Sequence, residues 1–103
     1  MNMVKDINGL NELDEVLRNN KKVLVDVWAP WCGPCRMLGP IVEKVADTTD
    51  GLTTIKINLD DNEEVAARYG IEAIPTLLVF EENELVNRSL GFIPEALVIN
   101  LVK

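Results

Sequence analysis

Histidine is absent from this sequence, and cysteine occurs only twice. Basic residues are few: ten lysines and arginines face 17 aspartates and glutamates, for a formal net charge of −7. That balance disfavours binding to nucleic-acid phosphates or anionic lipid, so neither nucleic acid nor membrane is expected as a partner. Long apolar runs are missing too. The stretch Thr76 to Phe80 falls far short of the roughly 20 residues that cross a bilayer. The start, Met1-Asn2-Met3-Val4-Lys5-Asp6, lacks the basic-then-apolar order of a secretory signal. With cysteine this sparse, a reducing, cytoplasmic compartment is expected. Internal repeats, low-complexity tracts and linkers are also lacking.

What is present is ordinary for a globular chain. The 103 residues make one domain, 1–103, and 48% apolar with 26% charged residues excludes the disordered class. A domain of this size buries roughly 60–70% of its unfolded surface, enough for a core without cross-links. A bridge between Cys32 and Cys35 would close a tiny loop and constrain little of the unfolded chain. The cysteines therefore point to chemistry rather than scaffolding, and a monomer is expected. The acidic runs Asp60-Asp61 with Glu63-Glu64, and Glu81-Glu82 with Glu84, read as solvated faces and turns rather than metal sites.

Strand-like and helix-like segments alternate along the chain. Met3 to Lys5 is a weak edge strand. Leu10, Leu13, Val16 and Leu17 share a helical face that stops near Asn19-Asn20. Val23 to Trp28 is nearly continuous apolar and β-branched, the pattern of a strand covered on both faces. A helix follows Pro34 with Leu38, Ile41, Val42, Val45 and Ala46 inward, and Pro40 should kink it. Ile55, Ile57 and Leu59 alternate as a strand with one better-buried face. Asp61 with Glu64 resembles a capping box opening a short helix through Val65, Ala66 and Tyr69, which Gly70 ends. Thr76 to Phe80 is a buried strand, paired through the Glu82-Asn83 turn with Leu85 to Leu90. Asn83, with Glu84 rather than glycine after it, is expected to take the left-handed geometry of that turn. Glu95 to Val102 is a terminal helix apolar nearly all round, which should be covered on more than one side. Strands separated by helices should pair in parallel, with an antiparallel hairpin last. The fold class is α/β: a central mixed β-sheet flanked by helices on both faces.

Trp31-Cys32-Gly33-Pro34-Cys35 falls at a strand-to-helix junction, where open α/β sheets place their sites. A helix N-terminus has unpaired N–H groups and partial positive charge, which favour a thiolate at Cys32. Pro34 loses nothing in the first turn. A three-residue step returns Cys35 to the same helical face, so the pair can form and break a disulfide with little backbone movement. A zinc half-site would need two further Cys or His ligands, which the chain lacks, so carboxylates or a second chain would have to supply them; an iron–sulfur cluster shared across a dimer is the other metal alternative. Asp26 lies between Val25 and Val27 in a buried strand, where an ionised carboxylate is costly unless paired or protonated. It is either a buried acid of raised pKa, exchanging protons with the inner cysteine, or a carboxylate turned to a solvated edge or a structural lysine.

The run Val25-Asp26-Val27-Trp28-Ala29-Pro30-Trp31-Cys32-Gly33-Pro34-Cys35-Arg36-Met37, with Pro40, closely resembles the thioredoxin family. So do Ile74-Pro75-Thr76 and Gly91 downstream, and the similarity spans essentially the whole chain. The resemblance implies the thioredoxin fold, Cys32 as exposed nucleophile and Cys35 as resolving thiol, with the Cys32–Cys35 disulfide redox-active and no bound cofactor. It implies a cis Pro75 facing the dithiol, and Lys56 near Asp26, tuning the site with Gly33 and Pro34. Trp31, Leu59, Ala73, Ile74, Pro75, Leu90 and Gly91 would form the substrate surface, the Ile74 backbone pairing with a substrate strand, while Trp28 packs beneath the site. The implied function is general protein-disulfide reduction through a mixed disulfide. The implied partners are disulfide-containing proteins and a thioredoxin reductase, flavoprotein or ferredoxin-linked. A groove-binding module with incidental thiols and a glutathione-dependent, glutaredoxin-like enzyme are the rival readings. Phe92 and Pro94 depart from the small or polar residues expected after Gly91 and alter the rim of the groove. Asn87-Arg88-Ser89 matches a glycosylation sequon that, without a signal peptide, carries no weight.

Overall fold

The computed structural model describes residues 4–103. Its elements are β1 (Lys5–Asp6), α1 (Gly9–Asn19), β2 (Lys22–Trp28), α2 (Gly33–Thr48), β3 (Leu52–Asn58), a 3-10 turn (Leu59–Asp61), α3 (Glu63–Tyr69), β4 (Thr76–Glu81), β5 (Glu84–Leu90) and α4 (Glu95–Leu101). The first strand is seen at Lys5–Asp6; the remainder of the expected Met3–Lys5 segment lies partly outside the described residues.

The five strands form one mixed sheet in the order β1-β3-β2-β4-β5. Strand β2 is central, with Val23 to Val27 all buried, as its nearly continuous apolar run requires. Side chains alternate across a strand, and the two faces make two cores. Val23, Val25, Val27, Ile55, Ile57, Leu78 and Phe80 pack against Leu13 and Leu17 of α1 and Val65 of α3. On the other face Leu24, Leu52, Leu77 and Val79 meet Leu38, Val42 and Val45 of α2 and Val98 of α4. Each such side chain contributes about 1.5–3 kcal/mol on burial. Among the described residues the architecture is a five-stranded mixed sheet with four α-helices, as the family resemblance implied.

Strand direction departs from expectation in one place. β2 runs parallel to β3, but β4 runs antiparallel to β2 although a helix precedes it. The cause is length. The seven residues of α3 rise about 10 Å, whereas a seven-residue strand such as β3 covers about 23 Å. The chain therefore re-enters the sheet at the end where β3 left it, and Thr76 pairs with Val27.

Smaller departures have equally local causes. Leu59 leaves the strand and starts the 3-10 turn. The N-cap of α3 is Asn62 rather than Asp61, and it makes no side-chain cap bond because its side chain has partners elsewhere. Helix α2 continues through Pro40, an exposed position. Helix α4 is covered on one side only: Val98 is buried, while Leu97 and Ile99 remain 49% and 36% exposed. Its buried face, Val98 with Val102 just after it, packs on α2 and the sheet. At the β4–β5 turn both Glu82 (φ 53°) and Asn83 (φ 67°) adopt left-handed geometry, so the strain is shared rather than carried by Asn83 alone.

Glu82 is the poorer fit, since a left-handed residue other than glycine or asparagine costs roughly 1–2 kcal/mol. Combining Glu82→Asn with Asn83→Gly should raise stability by about 1 kcal/mol. A urea midpoint unchanged or lowered in the double variant would refute this account of the turn.

Candidate active site

Three chain segments converge at one end of the sheet. Strand β2 ends at Trp28 beside Asn58 of β3, so the loops that follow both strands are neighbours. Strand β4 begins at the same end, which brings in the Ile74–Pro75 bond, a cis peptide. Gly91 at the end of β5 donates its N–H to the Pro75 carbonyl at 2.8 Å. The Thr76 hydroxyl donates to the Ala73 carbonyl and closes the turn before the strand.

After Trp28 the chain turns sharply, with Cys32 N–H donating to Ala29 O at 3.1 Å, and α2 begins. Cys32 is the N-cap of α2, Gly33 and Pro34 open its first turn, and Cys35 follows. Pro34 sacrifices no bond there, because the first four N–H groups of a helix have no partner within it. The Cys35 N–H donates instead to Cys32 Sγ at 3.2 Å. Cys32 and Cys35 form a disulfide with Cα atoms 5.3 Å apart.

The expectation of an exposed Cys32 beside a covered Cys35 is not met in this oxidised form. Their exposures are 4% and 5%. Bonded to each other, both sulfurs lie in a small apolar cluster with Ala29, Trp28 and Ile74. The two differ in surroundings rather than depth. Cys32 Sγ receives an N–H at the helix start, whereas Cys35 borders a cavity of about 380 Å³ with Trp28, Arg36, Gly39, Pro40, Glu43 and Lys56. Trp28 underlies the site, and Lys56 Nζ sits 4.8 Å from its ring centroid.

Asp26 is 1% exposed. Two residues after Leu24, it shares the face of β2 that α2 covers. Among the described residues its Oδ1 has no hydrogen-bond partner. Burial raises its pKa from 3.8 to about 6; Lys56 opposes that shift and Asp6 adds to it. The sheet register explains both neighbours, since Lys56 stands opposite Asp26 on one side and Asp6 on the other. Asp26 is thus neither turned to a solvated edge nor fully neutralised by its lysine.

The apolar residues named for substrate binding fall into two groups. Trp31 and Leu90 are 67% and 62% exposed beside the disulfide and the cis-proline loop. Ile74 is half-buried against both the disulfide and the core, and Leu59 packs against that core. Ala73 is exposed, Pro75 buried and Gly91 half-buried. Two residues escaped the sequence reading. Asp60, taken as part of a solvated acidic run, accepts Trp31 Nε1–H at 3.1 Å on each carboxylate oxygen. Asn62 is buried and ties this loop to the start of α1. No local pattern marks either one; only the shared ending of β2 and β3 brings them to the site. No cluster of three or more His, Cys, Asp or Glu among the described residues could hold a metal ion. Among the described residues, no helix is long and apolar enough to cross a membrane.

A family model described as Thioredoxin matches residues 4–103. A thioredoxin of Pyropia yezoensis is 45% identical over 94 residues, covering 90% of this chain and 88% of that relative. One of Mycoplasma genitalium is 40% identical over 99 residues, covering 96% of this chain and 97% of the relative. A solved mutant thioredoxin of Halobacterium salinarum has a TM-score of 0.91 at 39% identity, covering 96% of this chain and 88% of that one.

The raised pKa of Asp26 makes stability depend on pH. The folded state holds the proton more tightly than the unfolded chain, so the full stability is present below about pH 3.8 and falls as pH climbs towards 6. Above that the penalty is constant, on the order of 3 kcal/mol at 1.36 kcal/mol per pH unit. Asp26→Asn should therefore be more stable than the parent at neutral pH by up to about 3 kcal/mol, with the gain vanishing near pH 3. Denaturant unfolding of the oxidised proteins at both pH values checks this. A variant less stable than the parent at neutral pH would make Asp26 a paired structural carboxylate.

Proposed function

Because the chain belongs to the thioredoxin family, it is a thiol–disulfide oxidoreductase with Cys32–Cys35 as its redox-active disulfide, and from that footing we propose that it is a general reductase of protein disulfides. Family membership implies protein disulfide substrates and a reductase that restores the dithiol. One thioredoxin domain, residues 1–103, carries the activity as a monomer in the cytoplasm, in keeping with two cysteines that pair only with each other.

The observation that carries this reading is the position of Cys32 at the N-cap of α2, where its sulfur accepts an N–H. The same N–H and the helix start favour negative charge on that sulfur once the disulfide is reduced. Cys32 thiolate attacks one sulfur of the substrate disulfide, forming a mixed disulfide and releasing the other substrate sulfur as a thiolate. Cys35, as thiolate, then attacks Cys32 Sγ. The second substrate sulfur leaves, and the Cys32–Cys35 bond closes with two electrons passed to substrate.

Asp26 takes the proton of Cys35 before that second attack. Its pKa near 6 suits a group that gains and loses a proton around neutrality. Its register partner Lys56 lines the cavity that Cys35 borders, the side from which water would carry the proton. Gly33 and Pro34 leave the thiolate without a histidine between the cysteines, the arrangement of the family's reducing members. Trp31, Leu59, Ala73, Ile74, Pro75, Leu90 and Gly91 receive the substrate segment, and the Ile74 backbone pairs with it. The regenerating partner is a thioredoxin reductase, flavoprotein or ferredoxin-linked.

The reduced protein should cleave a model protein disulfide catalytically when a chemical dithiol recycles it. Cys35→Ser should accumulate a stable mixed disulfide with that substrate, and Cys32→Ser should not. Trapping by Cys32→Ser would reverse the assigned roles, and failure of the parent to turn over would overturn the reductase reading.

A further inference from the structure

Asn62 is a polar side chain with no exposure at all, 0%. A buried amide is costly unless its donors and acceptor are used, and here they are. Its Oδ1 accepts Gly9 N–H at 2.7 Å. Its Nδ2 donates to Asn58 O at 2.8 Å and to Asn8 Oδ1 at 3.3 Å. Its own N–H donates to Leu59 O at 3.1 Å. Asn58 Oδ1 in turn accepts Asp60 N–H at 3.0 Å. The Leu59–Asp61 turn is therefore gripped at both ends and tied to the start of α1. The carboxylate it presents, Asp60, holds the Trp31 indole N–H. Trp31 is 67% exposed, so packing contributes little to fixing its ring.

We propose that Asn62 is a positioning residue for substrate docking: it fixes the Leu59–Asp61 turn, the turn aims the Asp60 carboxylate, and the carboxylate holds the Trp31 ring as a ready-made wall of the substrate groove. The proposal rests on the groove reading given above. A ring held in place before docking spares the complex the cost of immobilising it, which for one large side chain is about two- to twelvefold in affinity. The effect belongs to binding and not to the thiol chemistry, since neither Asn62 nor Asp60 hydrogen-bonds Cys32 or Cys35.

The test compares Asn62→Ala, Asp60→Ala and their combination in the full chain. Each single variant should raise KM for a model protein disulfide about fivefold with kcat unchanged. Each should also speed exchange of the Trp31 indole proton with water, followed by NMR. Because both act through one chain of contacts, the double variant should be no worse than either alone. Val65→Ala, a core truncation in α3, controls for lost stability and should move neither KM nor exchange. If Asn62→Ala does not fold, Asn58→Ala breaks the next link and should give the same KM and exchange changes. Unchanged KM and exchange in the variant that folds, or additive effects in the double variant, would overturn the proposal. A parent that fails to reduce the protein disulfide would instead overturn the reductase reading, leaving the exchange measurement to judge the hold on Trp31.

Discussion

Strand β2 lies at the centre of the sheet with helices over both faces, so none of the residues from Val23 to Val27 has water to turn to. That burial sets the register on either side. Trp28 ends level with Asn58, and Val27 sits opposite Thr76. Three loops are thereby brought to one edge: the turn into the dithiol helix, the turn carrying Asp60, and the cis-proline turn before β4. Shifting β2 by one residue would turn its core side chains to the wrong faces and part the loops as well. The chemistry of the protein follows from where this strand stops.

The same burial creates an electrostatic conflict in the core. A carboxylate on the face covered by α2 is held against desolvation, with Lys56 compensating in part and Asp6 working against it. A sequence selected only for stability would place an apolar residue there. Keeping Asp26 is consistent with a stability cost accepted for proton transfer beside Cys35. The cavity bordered by Cys35 is lined also by Lys56, the register partner of Asp26.

Periodicity made most of the elements legible, because each helix or strand here buries a face whose spacing is written in its apolar residues. The Trp31–Cys35 run at a strand-to-helix junction marked the redox centre, and Asp26 stood out as the lone charge in the apolar run from Val23 to Trp28. What stayed hidden depends on distances between elements. The antiparallel entry of β4 follows from a helix too short to span the sheet. The cap expected from Asp61 and Glu64 gave way to Asn62, whose side chain is taken by Gly9, Asn8 and Asn58. The one-sided cover of α4 reflects what lies next to it, which its own sequence does not encode. Asp60 looked like one acid among several until the shared ending of β2 and β3 placed Trp31 beside it.

Depth does not distinguish the two cysteines, at 4% and 5% exposure, so their proposed difference in reactivity rests on the end of the helix. On the proposed mechanism, the N-terminus of α2, delivered by β2, makes Cys32 the reactive sulfur. Limited alkylation of the fully reduced protein at neutral pH, with less than one equivalent of reagent and peptide mapping of the product, tests it most directly. The account predicts label on Cys32 with Cys35 unmodified. Label appearing first on Cys35, or equally on both, would contradict it.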